Sequence, residues 1–145
     1  MDYCREQQLI LRIAEIQKQL YDLAAIVAKQ VKQPYLTGTT VSGGMAVMID
    51  VDKKVYPFDI TNPYHYDKYL GIAEQGGIPN TYISIVISGL ANFPGQGWTP
   101  GTPYYIGTTS YLIPTPPTVG LLKQIGVGID SNVIIVNPSW EAVLI

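Results

Sequence analysis

Tyr82-Ile83-Ser84-Ile85-Val86-Ile87-Ser88 is the stretch on which the fold class turns. It is apolar at nearly every position and rich in β-branched residues, and Ser88-Gly89 follows it. That is the pattern of a strand buried on both faces, not of one face of a helix. Asn132-Val133-Ile134-Ile135-Val136-Asn137 repeats the pattern near the other end of the chain. In a head of about 100 residues, such strands are expected to turn one of their two faces toward a neighbouring subunit.

Working outward, further short apolar runs are bounded by turn residues: Met45 to Val51, Tyr69 to Ala73, Tyr104 to Gly107 and Leu121 to Gly126. All 14 glycines and all 11 prolines lie at or after Pro34. Helical spacing is absent beyond residue 33. Residues 45–145 therefore read as a β-rich head, an antiparallel sandwich or barrel. Residues 34–44, rich in Thr, Ser and Gly, read as a linker. Pro100-Gly101 suits the centre of a type II turn, where proline presets one dihedral and glycine takes positive φ. Pro116-Pro117 forces extended backbone without amide donors, and Gly126 and Gly128 leave room for close backbone approach near an axis.

Residues 1–33 differ. Leu9, Ile13, Ile16, Leu20, Leu23 and Val27 are spaced 4, 3, 4, 3 and 4, a heptad pattern that Gln30 extends. Ile13, Leu20 and Val27 take position a; Leu9, Ile16, Leu23 and Gln30 take position d. Isoleucine at both positions, with Ile10, Ala14, Ala24, Ile26 and Val31 widening the apolar face, tilts a parallel coiled coil toward three strands. Three Gln30 amides around one axis would fix the register. A helix packed on its own domain is the competing explanation of the stripe. About 28 helical residues make a rod of about 40 Å. Met1, Asp2, Tyr3 and Arg5, ahead of the heptads, are the expected anchor.

Only 14% of the residues are charged, against a usual fraction of about 25%. Nine of the twenty charged residues fall in residues 1–33, and none lies between Gln75 and Leu122. A head so poor in charge is expected to bury much of its outside against copies of itself or a partner. The net charge of −2 and the absence of a basic run argue against nucleic acid. No run of 18 apolar residues offers a transmembrane span. Asp2, Arg5, Glu6 and Arg12 spoil a signal peptide, so synthesis in a cytoplasm is expected. Cys4, the single cysteine, excludes an intrachain disulfide.

The chain carries no convincing catalytic or metal-binding constellation, and no cofactor is expected. His65 with Asp67 imitates part of a general-base pair, but no nucleophile accompanies them. Asp50 and Asp52 share a strand face and precede Lys53-Lys54, which makes a charged turn a simpler reading than a cation site. Gly95-Gln96-Gly97 neither follows a buried strand nor opens a helix, so it is not a phosphate loop. A glycosidase needs a supported carboxylate pair, and Asp59, Asp67 and Glu74 carry no such mark. Eleven tyrosines remain. Tyr64, His65, Tyr66 and Tyr69, with Trp98, are the candidate ligand residues, because aromatic faces suit sugar rings and protein contacts.

Two stretches carry a resemblance. The first runs Val55-Tyr56-Pro57-Phe58-Asp59 through Asn62-Pro63-Tyr64-His65 to Leu70-Gly71-Ile72-Ala73. The second begins Ile85-Val86-Ile87-Ser88-Gly89 and runs through Trp98-Thr99-Pro100-Gly101-Thr102-Pro103-Tyr104-Tyr105-Ile106-Gly107 and Leu112-Ile113-Pro114-Thr115-Pro116-Pro117. It closes on Gln124-Ile125-Gly126-Val127-Gly128 and Val133-Ile134-Ile135-Val136. In this order they resemble the β-head module of bacteriophage head-fibre, capsid-decoration and tail-fibre proteins. The resemblance covers roughly residues 45–137. It implies a trimeric β-head on a virion fibre and carries no catalytic residues; a homotrimer with capsid or other virion proteins as partners is expected, and weak multivalent contact with host or environmental glycans is a hypothesis for the head. A short stalk favours a head fibre or decoration protein. The alternative is a receptor-binding tail-fibre tip recognising host polysaccharide, and a third class is a glycan-degrading enzyme at a trimer interface.

Overall fold

The computed structural model describes residues 12–17, 30–137 and 142–145. It is mainly β, with a single sheet that curls into a small barrel-like body. The strands are β1 (Val31–Thr37), β2 (Ala46–Ile49), β3 (Lys54–Pro57), β4 (Tyr69–Ala73) and β5 (Tyr82–Asn92). They are followed by β6 (Pro103–Ile106), β7 (Leu112–Ile113), β8 (Leu121–Gly128), β9 (Val133–Val136) and β10 (Ala142–Leu144). Residues 12–17 are helical, and Pro63–His65 form one 3-10 turn.

Five strands close on themselves. β3 pairs with β2, β2 with β4, β4 with β5 and β5 with β1, all antiparallel, and β1 returns to β3 in a parallel pairing. Closure removes the exposed edges that an open sheet must otherwise protect. The long β5 leaves this ring after Ser88, and Gly89–Asn92 pair with β9. From there the sheet continues through β8, β6 and β7, with β10 added to the first half of β8.

Side chains alternate across the ring. Val41, Val47, Val55, Ala73, Ile83 and Ile85 fill its inside. Met48, Ile72 and Val86 point the other way and join Phe58, Ile60, Phe93, Tyr104, Ile106, Ile125 and Ile134 between the ring and the second part of the sheet. Each fully buried large side chain contributes about 1.5–3 kcal/mol. The hydroxyls of the two buried polar residues, Thr37 and Ser110, are hydrogen-bonded. Thr37 Oγ1 donates to the Ile78 carbonyl at 2.7 Å and accepts from the Thr81 N–H. Ser110 Oγ donates to the Phe58 carbonyl at 2.7 Å, joining the two parts of the sheet.

Several expectations need correction. Within residues 82–88, Ile83 and Ile85 are buried inside the ring and Val86 against the second part of the sheet, whereas Tyr82 is 69% exposed and Ser84, Ile87 and Ser88 are half-buried, so the same chain covers the strand only in part. β9 is buried on one face only, through Ile134 and Val136. Val31, Lys32 and Gln33, read as the end of the stalk, and Pro34 to Thr37, read as linker, together form β1. Pro34 cannot continue a helix, and pairing with β5 satisfies the backbone groups of the extended segment. Gln30 accordingly stands outside any helix, directly before β1.

Of the other heptad residues, Ile13 and Ile16 lie in the helical segment and are 48% and 56% exposed. Leu9, Leu20, Leu23 and Val27, with the anchor residues Met1, Asp2, Tyr3 and Arg5, lie outside the described residues. Among the described residues, no helix is long and apolar enough to cross a membrane.

Candidate functional site

The loop from Asp59 to Lys68 is held by its own short-range bonds. The Asn62 side chain accepts from the Tyr64 N–H at 3.0 Å, with Pro63 opening the 3-10 turn. Asp59 Oδ1 accepts from the Thr61 hydroxyl at 2.6 Å and the Thr61 N–H at 2.9 Å. The Tyr66 hydroxyl donates to the Ile60 carbonyl at 2.7 Å. His65 Nδ1 accepts from the Asp59 N–H at 2.9 Å, which commits that nitrogen to the backbone. Its ring lies edge-on to Phe58 and Tyr64, so it is a packing residue rather than the partner of Asp67.

Tyr64 is the exposed aromatic of the loop, at 49%. Its hydroxyl donates to Asp50 Oδ1 at 2.6 Å, and Lys68 Nζ lies 3.9 Å from its ring centroid. Lys68 also donates to the Tyr64 carbonyl and to Asp67 Oδ1, both at 2.9 Å. The hydrogen bond from Tyr64 holds the Asp50 carboxyl below its ordinary range, and the same bond raises the Tyr64 phenol. Asp52 accepts from the Tyr56 hydroxyl at 2.6 Å and from the Lys54 N–H at 2.9 Å. Asp50 and Asp52 thus belong to the β2–β3 hairpin turn, as the charged-turn reading expects. Among the described residues, no group of three or more His, Cys, Asp or Glu side chains is placed to hold a metal.

The loop leads into β4, and an open groove of about 410 Å³ lies alongside. Tyr66, Asp67, Tyr69 and Leu70 line one side, with Ile87 of β5; Lys123 of β8 and Ala142 of β10 line the other. Lys123 reaches this position because β8 splits its pairing: Leu121 to Lys123 pair with β10, whereas Gly126 to Gly128 pair with β9. Lys123 Nζ sits 5.4 Å from the Tyr69 ring centroid, and partial burial lowers its pKa. The Tyr69 ring packs edge-on against Phe58. Its hydroxyl is buried without a hydrogen-bond partner, and burial raises the phenol well above its ordinary value. Leaving such a group unpaired costs about 1–3 kcal/mol.

Of the sequence-derived ligand candidates, Tyr66 and Tyr69 line this groove, and Tyr64 and His65 flank it on the loop. Trp98 is elsewhere. It is 5% exposed, with its ring edge-on to Phe93 and Tyr104, and it offers no face to a ligand. Ile87, Lys123 and Ala142 escape sequence reasoning, since only strand register brings them to the loop. Of the carboxylates weighed as catalysts, Asp59 is lowered by its bonds from Thr61 and Asp67 by Lys68. Glu74 is paired with Lys32 at 3.2 Å. The groove has apolar walls and a polar rim.

No protein-family model, curated protein or solved structure matches the chain.

Proposed function

We propose that the chain is a non-enzymatic structural protein of a virion, a trimeric head fibre or capsid-decoration protein whose helical stalk is anchored and whose β-head faces outward. The observation that carries this reading is the exposure of Ile13 and Ile16 on their helical segment. They are three residues apart at positions a and d of the heptad pattern, and the single chain leaves both in water. Parallel association of stalks buries them, and isoleucine at both positions favours three strands over two. The virion setting rests on the order of motifs across residues 45–137. The head then makes weak contacts with host or environmental glycans, which many copies on one particle strengthen by avidity.

Light scattering on the full chain and on the double variant Ile13→Asp/Ile16→Asp tests the assembly. Three chain masses are expected for the unaltered protein and one for the variant, with the β-head still folded by circular dichroism. A monomeric unaltered chain overturns the fibre reading.

A further inference from the structure

We propose that the outer face of the second part of the sheet is the surface on which copies of the head meet, with the row Leu90, Ile135, Val127 and Pro103 at its centre. The inference rests on the trimeric reading of the chain and adds the contact between heads. Strand register sets the row. Leu90 of β5 stands opposite Ile135 of β9, Ile135 opposite Val127 of β8, and Val127 opposite Pro103 of β6. Their strand neighbours Ala91, Ile134, Val136 and Tyr104 are buried between the ring and the second part of the sheet. Side chains alternate along a strand, so the row faces outward. Tyr105 of β6, opposite Ile113 of β7, extends it. None of these six is buried, and Leu90 is 39% exposed. Four strands about 4.8 Å apart give an apolar row about 14 Å long.

Charge and chain path both select a second copy as the occupant. β5, β6, β7 and β9 carry no charged side chain. Lys123, the one charged residue of β8, lies in the half that pairs with β10 and lines the groove beside β4. Asp130, in the β8–β9 turn, accepts from the N–H groups of Asn132 and Val133 at 2.8 and 2.9 Å. A nucleic acid or an acidic polysaccharide finds no counter-charge on this face. The same face of another copy leaves no charge desolvated on either side. The path of the chain then places that copy. Val31 opens β1 opposite Ser88, two residues before Leu90 on β5. Val27, the last apolar residue of the heptad pattern, precedes Val31 by four residues, about 14 Å at full extension. Stalks gathered on one axis therefore bring the Leu90 end of each row toward that axis, where the copies meet and bury it.

Hydroxyl-radical footprinting, read by mass spectrometry, tests this on the full chain and on the Ile13→Asp/Ile16→Asp variant, with light scattering giving the mass of each. Leu90, Tyr105, Val127 and Ile135 are expected to react severalfold more slowly in the trimeric chain than in the monomeric variant. The exposed Val51 and Ile78 react alike in both. A second variant, Leu90→Glu/Val127→Glu, sets like charges on the face. It keeps its circular dichroism spectrum and raises the concentration of half-dissociation about tenfold or more, because like charges across a contact cost more than the 1.4 kcal/mol of one tenfold step. A trimer whose row reacts as fast as the monomer's overturns the proposal and leaves a fibre held by its stalk alone. So does a folded Leu90→Glu/Val127→Glu variant that dissociates no more readily. A monomeric unaltered chain overturns both readings, and a slow row in it shows that the chain's own residues cover the face. An Ile13→Asp/Ile16→Asp variant that stays trimeric, with its row as slow as in the unaltered chain, refutes assembly through the stalk and supports contact between heads.

Discussion

Tyr64 and Asp50 form a hydrogen bond of 2.6 Å between two exposed groups, and it perturbs both titrations in opposite directions. The Asp50 carboxyl lies below 3.8 in the folded chain. Its contribution to stability is therefore present above the unfolded pKa and lost as pH falls through the folded one. The Tyr64 phenol lies above 10.0. Its contribution is present below the unfolded pKa and lost as pH rises through the folded value. Tyr64→Phe is expected to return Asp50 toward the ordinary carboxylate range in an NMR titration, with little change of thermal midpoint at neutral pH. An Asp50 titration that does not move shows that the bond is not populated in solution. At this scale the sequence speaks clearly where backbone geometry dictates the residue. Pro100-Gly101 occupies the expected turn, with Gly101 at φ +75° and the Thr102 N–H reaching the Thr99 carbonyl at 3.2 Å. Gly126 and Gly128 do mark close approach, but a Cβ there meets the carbonyl oxygens of Ile135 and Thr99 of the same chain. Trp98 was not legible, because nothing local distinguishes a buried indole from an exposed one.

Among the elements, β1 is the one whose reading the structure changes most. Residues 31–37 contain Lys32, Gln33 and Pro34 and follow directly on a heptad pattern that ends at Gln30, so local sequence does not mark a strand. Its stability is non-local: Val31 to Leu36 pair with Ser88 back to Tyr82, and Leu36 and Thr37 pair with Lys54 and Val55. The strong apolar runs at β4, β5 and β9 need no such help and were legible. β3 and β7 are short and gain their order from neighbours already in place. The ring gives β1 a test. A chain beginning at Gln30 retains every β1 pairing and is expected to fold as a cooperative β-domain. A chain beginning at Thr37 loses the β1–β5 ladder, opens the ring and exposes the inner core. At about 1 kcal/mol per ladder bond the loss is on the order of 5 kcal/mol, comparable with the whole stability of a small domain. Thermal unfolding by circular dichroism separates the two, and equal midpoints would show that β1 is dispensable.

The molecule as a whole is organised around β5, which the ring and the second part of the sheet share. Ile83 and Ile85 enter the inner core, whereas Val86 and Ala91 enter the other. The groove depends on the same arrangement, because Ile87 lies on the shared strand between the loop side and Lys123. That explains why the loop half of the site was legible as a tyrosine-rich segment and the other half was not. Residues 66 and 123 meet only through the registers of β4, β5, β9 and β8, and those registers depend on pairings distant in sequence. A strand common to both cores also couples their stabilities. Ile85→Ala empties space in the inner core and Ile134→Ala in the other, and each is expected to cost about 2–4 kcal/mol. If β5 makes one cooperative unit of the head, calorimetry shows a single transition for the unaltered chain and for both variants. Amide exchange should then quicken in β2 and β9 alike, whichever variant is used. Two resolved transitions, or faster exchange confined to the mutated side, would mean that the ring and the second part of the sheet unfold independently and that β5 merely connects them.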